Sequence, residues 1–81
     1  MDDLIFKQHA LDEMQKDSIT DDDVYIVVGD YDEAFEHIAD GRTERGRLMD
    51  DGRWIVVVVE SDGETVVSAW WDRRRSRRRR Q

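Results

Sequence analysis

Three Asp-Gly pairs, Asp40-Gly41, Asp51-Gly52 and Asp62-Gly63, recur every eleven residues between Glu33 and Trp71. A type I′ hairpin turn needs positive φ at both central residues, and Asp-Gly satisfies that need at low cost. The segments between the pairs are rich in β-branched or alternating residues, above all Trp54-Ile55-Val56-Val57-Val58-Val59. The spacing therefore predicts a four-stranded antiparallel meander.

Upstream of the meander the pattern turns helical. Lys7 to Lys16 are good helix formers, with Ala10, Leu11 and Met14 on one face. Ser18-Ile19-Thr20 interrupts them, and Thr20 followed by Asp21-Asp22-Asp23 is a helix start, a hydroxyl cap with carboxylates at the positive end of the dipole. The second helix runs to about Val28 with Val24, Val27 and Val28 inward, and Gly29 stops it. Leu4-Ile5-Phe6 reads either as a short first strand or as the lead-in to the first helix. The expected fold class is α+β, two short N-terminal helices packed on one face of the four-stranded meander, in a single domain over residues 1–72.

Charge divides the chain sharply. Residues 1–72 carry -14, whereas Arg73, Arg74, Arg75, Arg77, Arg78, Arg79 and Arg80 supply +7. The Arg-rich segment 73–81 is expected to be a disordered tail suited to RNA or another anionic surface. The acidic body would suit a halophilic, high-salt cytoplasm as well as an ordinary one. With no Cys, neither disulfides nor a thiolate metal site can form, and neither His has the spacing of a metal ligand, so no metal or cofactor is expected. There is no signal-peptide pattern, and the longest apolar run is strand-sized, so the expectation is a cytoplasmic protein with no membrane contact.

Two-residue turns would place Ala39 opposite Arg42, Asp50 opposite Arg53 and Ser61 opposite Glu64. The face turned to the helices would then hold Phe35, His37, Gly46, Leu48, Ile55, Val57, Val59, Val66 and Trp70. The open face would hold Arg45, Arg47, Met49, Trp54, Val56, Val58 and Trp71, with Trp54 opposite Trp71. Such a face calls for a cover, either a partner subunit, a bound chain or the C-terminal segment folding back.

Arg45 and Arg47 are candidates to clamp a phosphodiester and stabilise charge in its cleavage; the alternative is that they pair with Glu36 and Glu60. His9 is the candidate general base, or else a partly buried structural His, and His37 reads as structural. Trp54 and Trp71 offer a stacking platform for bases, or cross-strand packing, and Arg73, Arg74 and Arg75 a grip on nucleic acid.

His9-Ala10, Met14, Ile19-Thr20 and Val24, followed by Gly41-Arg42, Gly46-Arg47, the Trp54–Val59 strand and Val66-Val67-Ser68-Ala69, resemble the domain of unknown function 4258 family. More distantly, the Ser68-Ala69 step leading into Arg73–Arg80 resembles the BrnT-type toxins. The resemblance implies a RelE-like fold, metal-independent endoribonuclease or RNA-binding activity and a cognate antitoxin partner. It places the working residues at Arg45, Arg47 and Arg73 to Arg75, although no Lys-Glu pair stands in the meander. The alternative function, from the residues themselves, is a non-enzymatic interaction module that forms a homodimer or binds a partner through the Arg/Trp/Val face.

Overall fold

The computed structural model describes residues 3–78. The chain runs β1 (Ile5–Phe6), α1 (Gln8–Lys16), α2 (Asp21–Gly29), β2 (Glu33–Glu36), β3 (Thr43–Leu48), β4 (Trp54–Val59), β5 (Thr65–Trp71) and α3 (Arg73–Arg78). The strands form one sheet in the order β1-β5-β4-β3-β2. Strands β2 to β5 pair antiparallel in succession, and β1 adds a fifth strand parallel to β5. The small α+β class therefore holds, while the expected four-strand sheet is corrected to a five-strand mixed one: Ile5-Phe6, within the Leu4-Ile5-Phe6 run, is its fifth strand. The 73–78 part of the expected disordered tail is helix α3, and residues 79–81 lie outside the described residues.

Helix α1 buries Ala10 and Met14, one turn apart, whereas Leu11 is 39% exposed and not part of the core. It ends in a Schellman motif, with Ile19 N–H donating to Met14 O and Ser18 N–H to Gln15 O. Ser18 occupies the left-handed position, φ 56°, where glycine is usual. Helix α2 starts with a reciprocal capping box: Asp23 N–H donates to Thr20 Oγ1 at 3.1 Å and Thr20 N–H to Asp23 Oδ2 at 3.0 Å. Val24, Val27 and Val28 then face inward and are buried. Both helices pack on the sheet face carrying Ile55, Val57, Val59, Val66 and Ala69, all of zero exposure. Removing a core methyl from any of these would leave a void between well-packed layers.

The hairpin turns differ from the expected type I′ geometry. Gly41, Gly52 and Gly63 have positive φ, but Asp40, Asp51 and Asp62 do not. Each Asp instead turns its carboxylate forward to accept the N–H two residues on: Arg42, Arg53 and Glu64 at 3.0, 3.1 and 2.8 Å. The side-chain bond from Thr65, joined by two backbone N–H groups, holds the Asp62 carboxyl below the usual carboxylate range. Closure falls outside the Asp-Gly pair, with His37 N–H donating to Arg42 O, Met49 N–H to Arg53 O and Glu60 N–H to Thr65 O. The second loop thus has an odd number of residues, a turn with Gly52 as its left-handed bulge, and it flips the side-chain parity of β3 against β4.

The consequence is decisive for the sheet faces. Arg45 pairs with Val57 and Arg47 with Ile55, so both arginines lie on the helix-covered face, as does Met49, which is buried in the core. Phe35, His37, Gly46, Leu48 and Trp70, expected on the helix side, lie on the open face, together with Glu44. A bulge between Val58 and Val59 shifts β5 as well, placing Trp71 opposite Ile55, on the covered side, rather than opposite Trp54.

Candidate functional site

The open face carries a shallow groove of 180 Å³ bordered by Phe35, Glu44, Gly46, Trp54, Val56 and Trp70. Its floor exists because Gly46 has no side chain: the Trp54 indole lies where a Cβ would stand. Its end is closed by α3, so that, of the three covers considered for the open face, the C-terminal segment supplies part. Asp72 caps α3 by accepting from Arg74 N–H and Arg75 N–H at 3.1 and 3.2 Å. Arg75 stacks 3.9 Å above the Trp54 ring and makes two 2.8 Å bonds to Glu33 on β2. The hydrogen-bonded Glu33 carboxylate raises the Arg75 pKa above its ordinary value, so this guanidinium is a fixed charge.

Ser76, the one break in the arginine run, pins α3 to the sheet. Its Oγ accepts from Trp54 N–H at 2.6 Å and from Trp71 Nε1–H at 2.8 Å, and donates to Asp72 O at 2.9 Å. It thereby satisfies a strand N–H of a residue that is 7% exposed, just where β5 has run out. Ser76→Ala is expected to orphan that N–H, cost about 1–3 kcal/mol and speed tryptic cleavage after Arg73, Arg74 and Arg75, read by mass spectrometry against urea-melt stability.

The expected catalytic set is not assembled. Arg45 Nη1 donates to Val28 O at 3.1 Å, and Arg47 Nε to Asp30 O at 2.8 Å, so the two guanidinium groups serve the carbonyl end of α2. Positive charge at that end of a helix is stabilising. Neither pairs with Glu36 or Glu60, the other expectation; Glu60 takes Arg42 instead, at 3.2 and 3.3 Å. Arg47 also bonds Leu48 O and Asp30 Oδ2, so each of its three nitrogens has a partner although it borders a second depression beside Asp23 and Asp51. His9 stands on α1 with its side chain 68% exposed, 3.5 Å from Glu13, on the side of the molecule away from the groove. Trp71 is flanked by Arg73 at 4.2 Å and Arg53 at 5.8 Å, and Arg73 reaches Asp17 at 3.6 Å. Arg74 is exposed. The paired stacking platform therefore resolves into Trp54 beneath Arg75, with Trp70 beside it on the open face, and Trp71 separately on the other side.

Beside the groove, His37, which reads as structural in the sequence, pairs with Glu44 of the groove border. His37 Nε2 lies 2.9 Å from Glu44 Oε2, both side chains about two-fifths exposed, and the Phe35 ring packs edge-on against the imidazole at 5.1 Å. The signal for the pair is the Asp40-Gly41 turn itself: a loop of two residues or of four puts His37 and Glu44 on the same side. Among the described residues no group of three or more His, Cys, Asp or Glu is placed to hold a metal ion, and no helix is long and apolar enough to cross a membrane.

No protein-family model matches the chain, and neither does any curated protein or solved structure.

Proposed function

We propose that this protein is a small interaction module whose open sheet face docks a cationic polypeptide partner. The observation that carries the reading is the make-up of the groove, where, among the described residues, Glu33, Glu44 and Asp72 stand with one guanidinium, Arg75, around an apolar strip of Phe35, Val56 and Trp70. Phe35 is 63% exposed, a large apolar side chain held beside carboxylates, which is how a surface recognises an amphipathic basic segment rather than a phosphate chain. Helices α1 and α2 on one side of the sheet, with α3 covering only the end of the other, also support kinship with the RelE-like proteins, in which case the partner is a cognate antitoxin. A homodimer through this face would set like charges against each other.

The test is titration with a short amphipathic Lys/Val peptide followed by tryptophan fluorescence. Phe35→Asp and Trp70→Ser should each weaken binding at least about tenfold, whereas Leu11→Ser, exposed on α1, should leave it unchanged. Equal effects of all three variants would reject the open face as the docking surface.

A metal-independent endoribonuclease is the second reading, favoured by the His37–Glu44 pair, whose Glu44 borders the groove. An imidazole oriented by a carboxylate can take the proton from a ribose 2′-hydroxyl as its oxygen attacks the adjacent phosphorus and the 5′-oxygen departs. His37→Ala should then lower cleavage of single-stranded RNA by about a hundredfold or more, and Arg45→Ala should affect it only through stability. RNA left intact by the wild-type chain at low and high salt eliminates this reading.

A further inference from the structure

The two edges of the sheet are treated differently. On one side, where β1 stops, the outer edge of β5 continues unpaired, and α1 closes it with carboxylates one helical turn apart. Glu13 Oε1 accepts from Ala69 N–H at 3.1 Å and Asp17 Oδ2 from Trp71 N–H at 3.0 Å, and the Ser68 hydroxyl also donates to Glu13. On the other side β2 is exposed at all four positions, and Arg75 of α3 holds it at one end through Glu33.

The register fixes what β2 offers. His37 bonds Arg42, so by alternation Phe35 and Glu33 turn their peptide groups toward β3, while those of Ala34 and Glu36 point outward from the sheet. Natural edges are usually blunted by lysine, proline or a bulge. Residues 30–40 contain no Lys, Arg or Pro, and instead carry Asp30, Asp32, Glu33, Glu36 and Asp40. Large apolar side chains accompany the carboxylates: Tyr31 is 46%, Phe35 63% and Ile38 98% exposed.

From these observations we infer that β2 is a strand-addition edge that receives an extended, basic segment of another chain as a sixth strand. The inference rests on the reading of the open face as a docking surface and gives it a backbone geometry. Main-chain bonds to Ala34 and Glu36 supply the affinity, and alternation supplies the specificity. On the groove side the incoming strand meets Phe35, where its side chain must be apolar, and Glu33, whose carboxylate Arg75 holds. Its side chains on the other side lie next to Glu36 and must be cationic. A second copy of β2 does not fit, because its own five carboxylates would face these five, and like charges opposed across strands are destabilising.

The probe is a peptide of alternating Lys and Val, about eight residues long, added to the full chain labelled with nitrogen-15. A block peptide of the same composition, lysines first and valines after, serves as the charge control. With the alternating peptide, amide exchange at Ala34 and Glu36 should slow by roughly tenfold or more, and the block peptide should leave it unchanged. Glu36→Pro, which removes an outward N–H and keeps the β2–β3 ladder, should abolish the protection at Ala34. Protection by both peptides alike, or a concentration-dependent dimer protecting the same amides without peptide, overturns the inference. Trp70 quenching without protection of Ala34 and Glu36 overturns it and leaves the open-face reading standing; protection without quenching does the reverse. Absence of both effects overturns the two together.

Discussion

Glu13→Ala is expected to be strongly destabilising although the side chain it truncates is only partly buried. Glu13 is 29% exposed in its side chain, yet it accepts from two donors, the Ser68 hydroxyl and the Ala69 N–H, and lies 3.5 Å from His9. Ala69 has zero exposure, so its N–H has no water to turn to once the carboxylate is gone. An orphaned buried N–H together with a lost charge-assisted bond amounts to about 3 kcal/mol. For a domain of this length that lowers the melting temperature by roughly 12–24 °C. Glu13→Gln keeps an acceptor in reach of Ala69 and should recover most of the loss. His9→Ala, which touches only the exposed side of the same carboxylate, should fall within about 0.5 kcal/mol of wild type. Calorimetry on the three variants separates them. A small loss in Glu13→Ala would mean that the β5 edge is not held by α1.

The same residues explain what can be read from this sequence and what cannot. Thr20 with Asp23, and the valines one turn beyond, specify α2 locally, and every group involved lies within a few residues of its partner. The apolar run Trp54–Val59 specifies a central strand because no other element of that length can be buried on both faces. The Asp-Gly pairs specify three hairpins, but not their loop lengths. An Asp that keeps negative φ and accepts from the N–H two residues on lengthens the loop, and the dipeptide is the same in either geometry. One added residue at Asp51-Gly52 was enough to carry Arg45 and Arg47 from the open face to the α2 carbonyls. Glu13 with Ala69, and Ser76 with Trp54, are separated by 56 and 22 residues. Such partnerships depend on where β5 bulges and where the ladder ends, and neither is encoded locally.

Gly46→Ala tests whether the groove is built on that glycine. In most strands an added methyl would help, since glycine loses more freedom on folding than alanine. Here the new Cβ would stand 2.7 Å from Trp54 Nε1, 2.9 Å from Cζ2 and 3.0 Å from Cε2. The indole has little room to retreat: Trp54 is 7% exposed, and Arg75, itself tied to Glu33, lies 3.9 Å over its ring. The expected result is a loss of about 1–3 kcal/mol, with faster tryptic cleavage in α3 as Arg75 is pushed off Trp54. Trp54→Leu removes the obstructing ring. In the double variant Gly46→Ala should therefore become neutral or stabilising, a coupling of at least about 1 kcal/mol. Additive effects in that cycle would show that the indole has somewhere else to go and that the groove does not depend on Gly46.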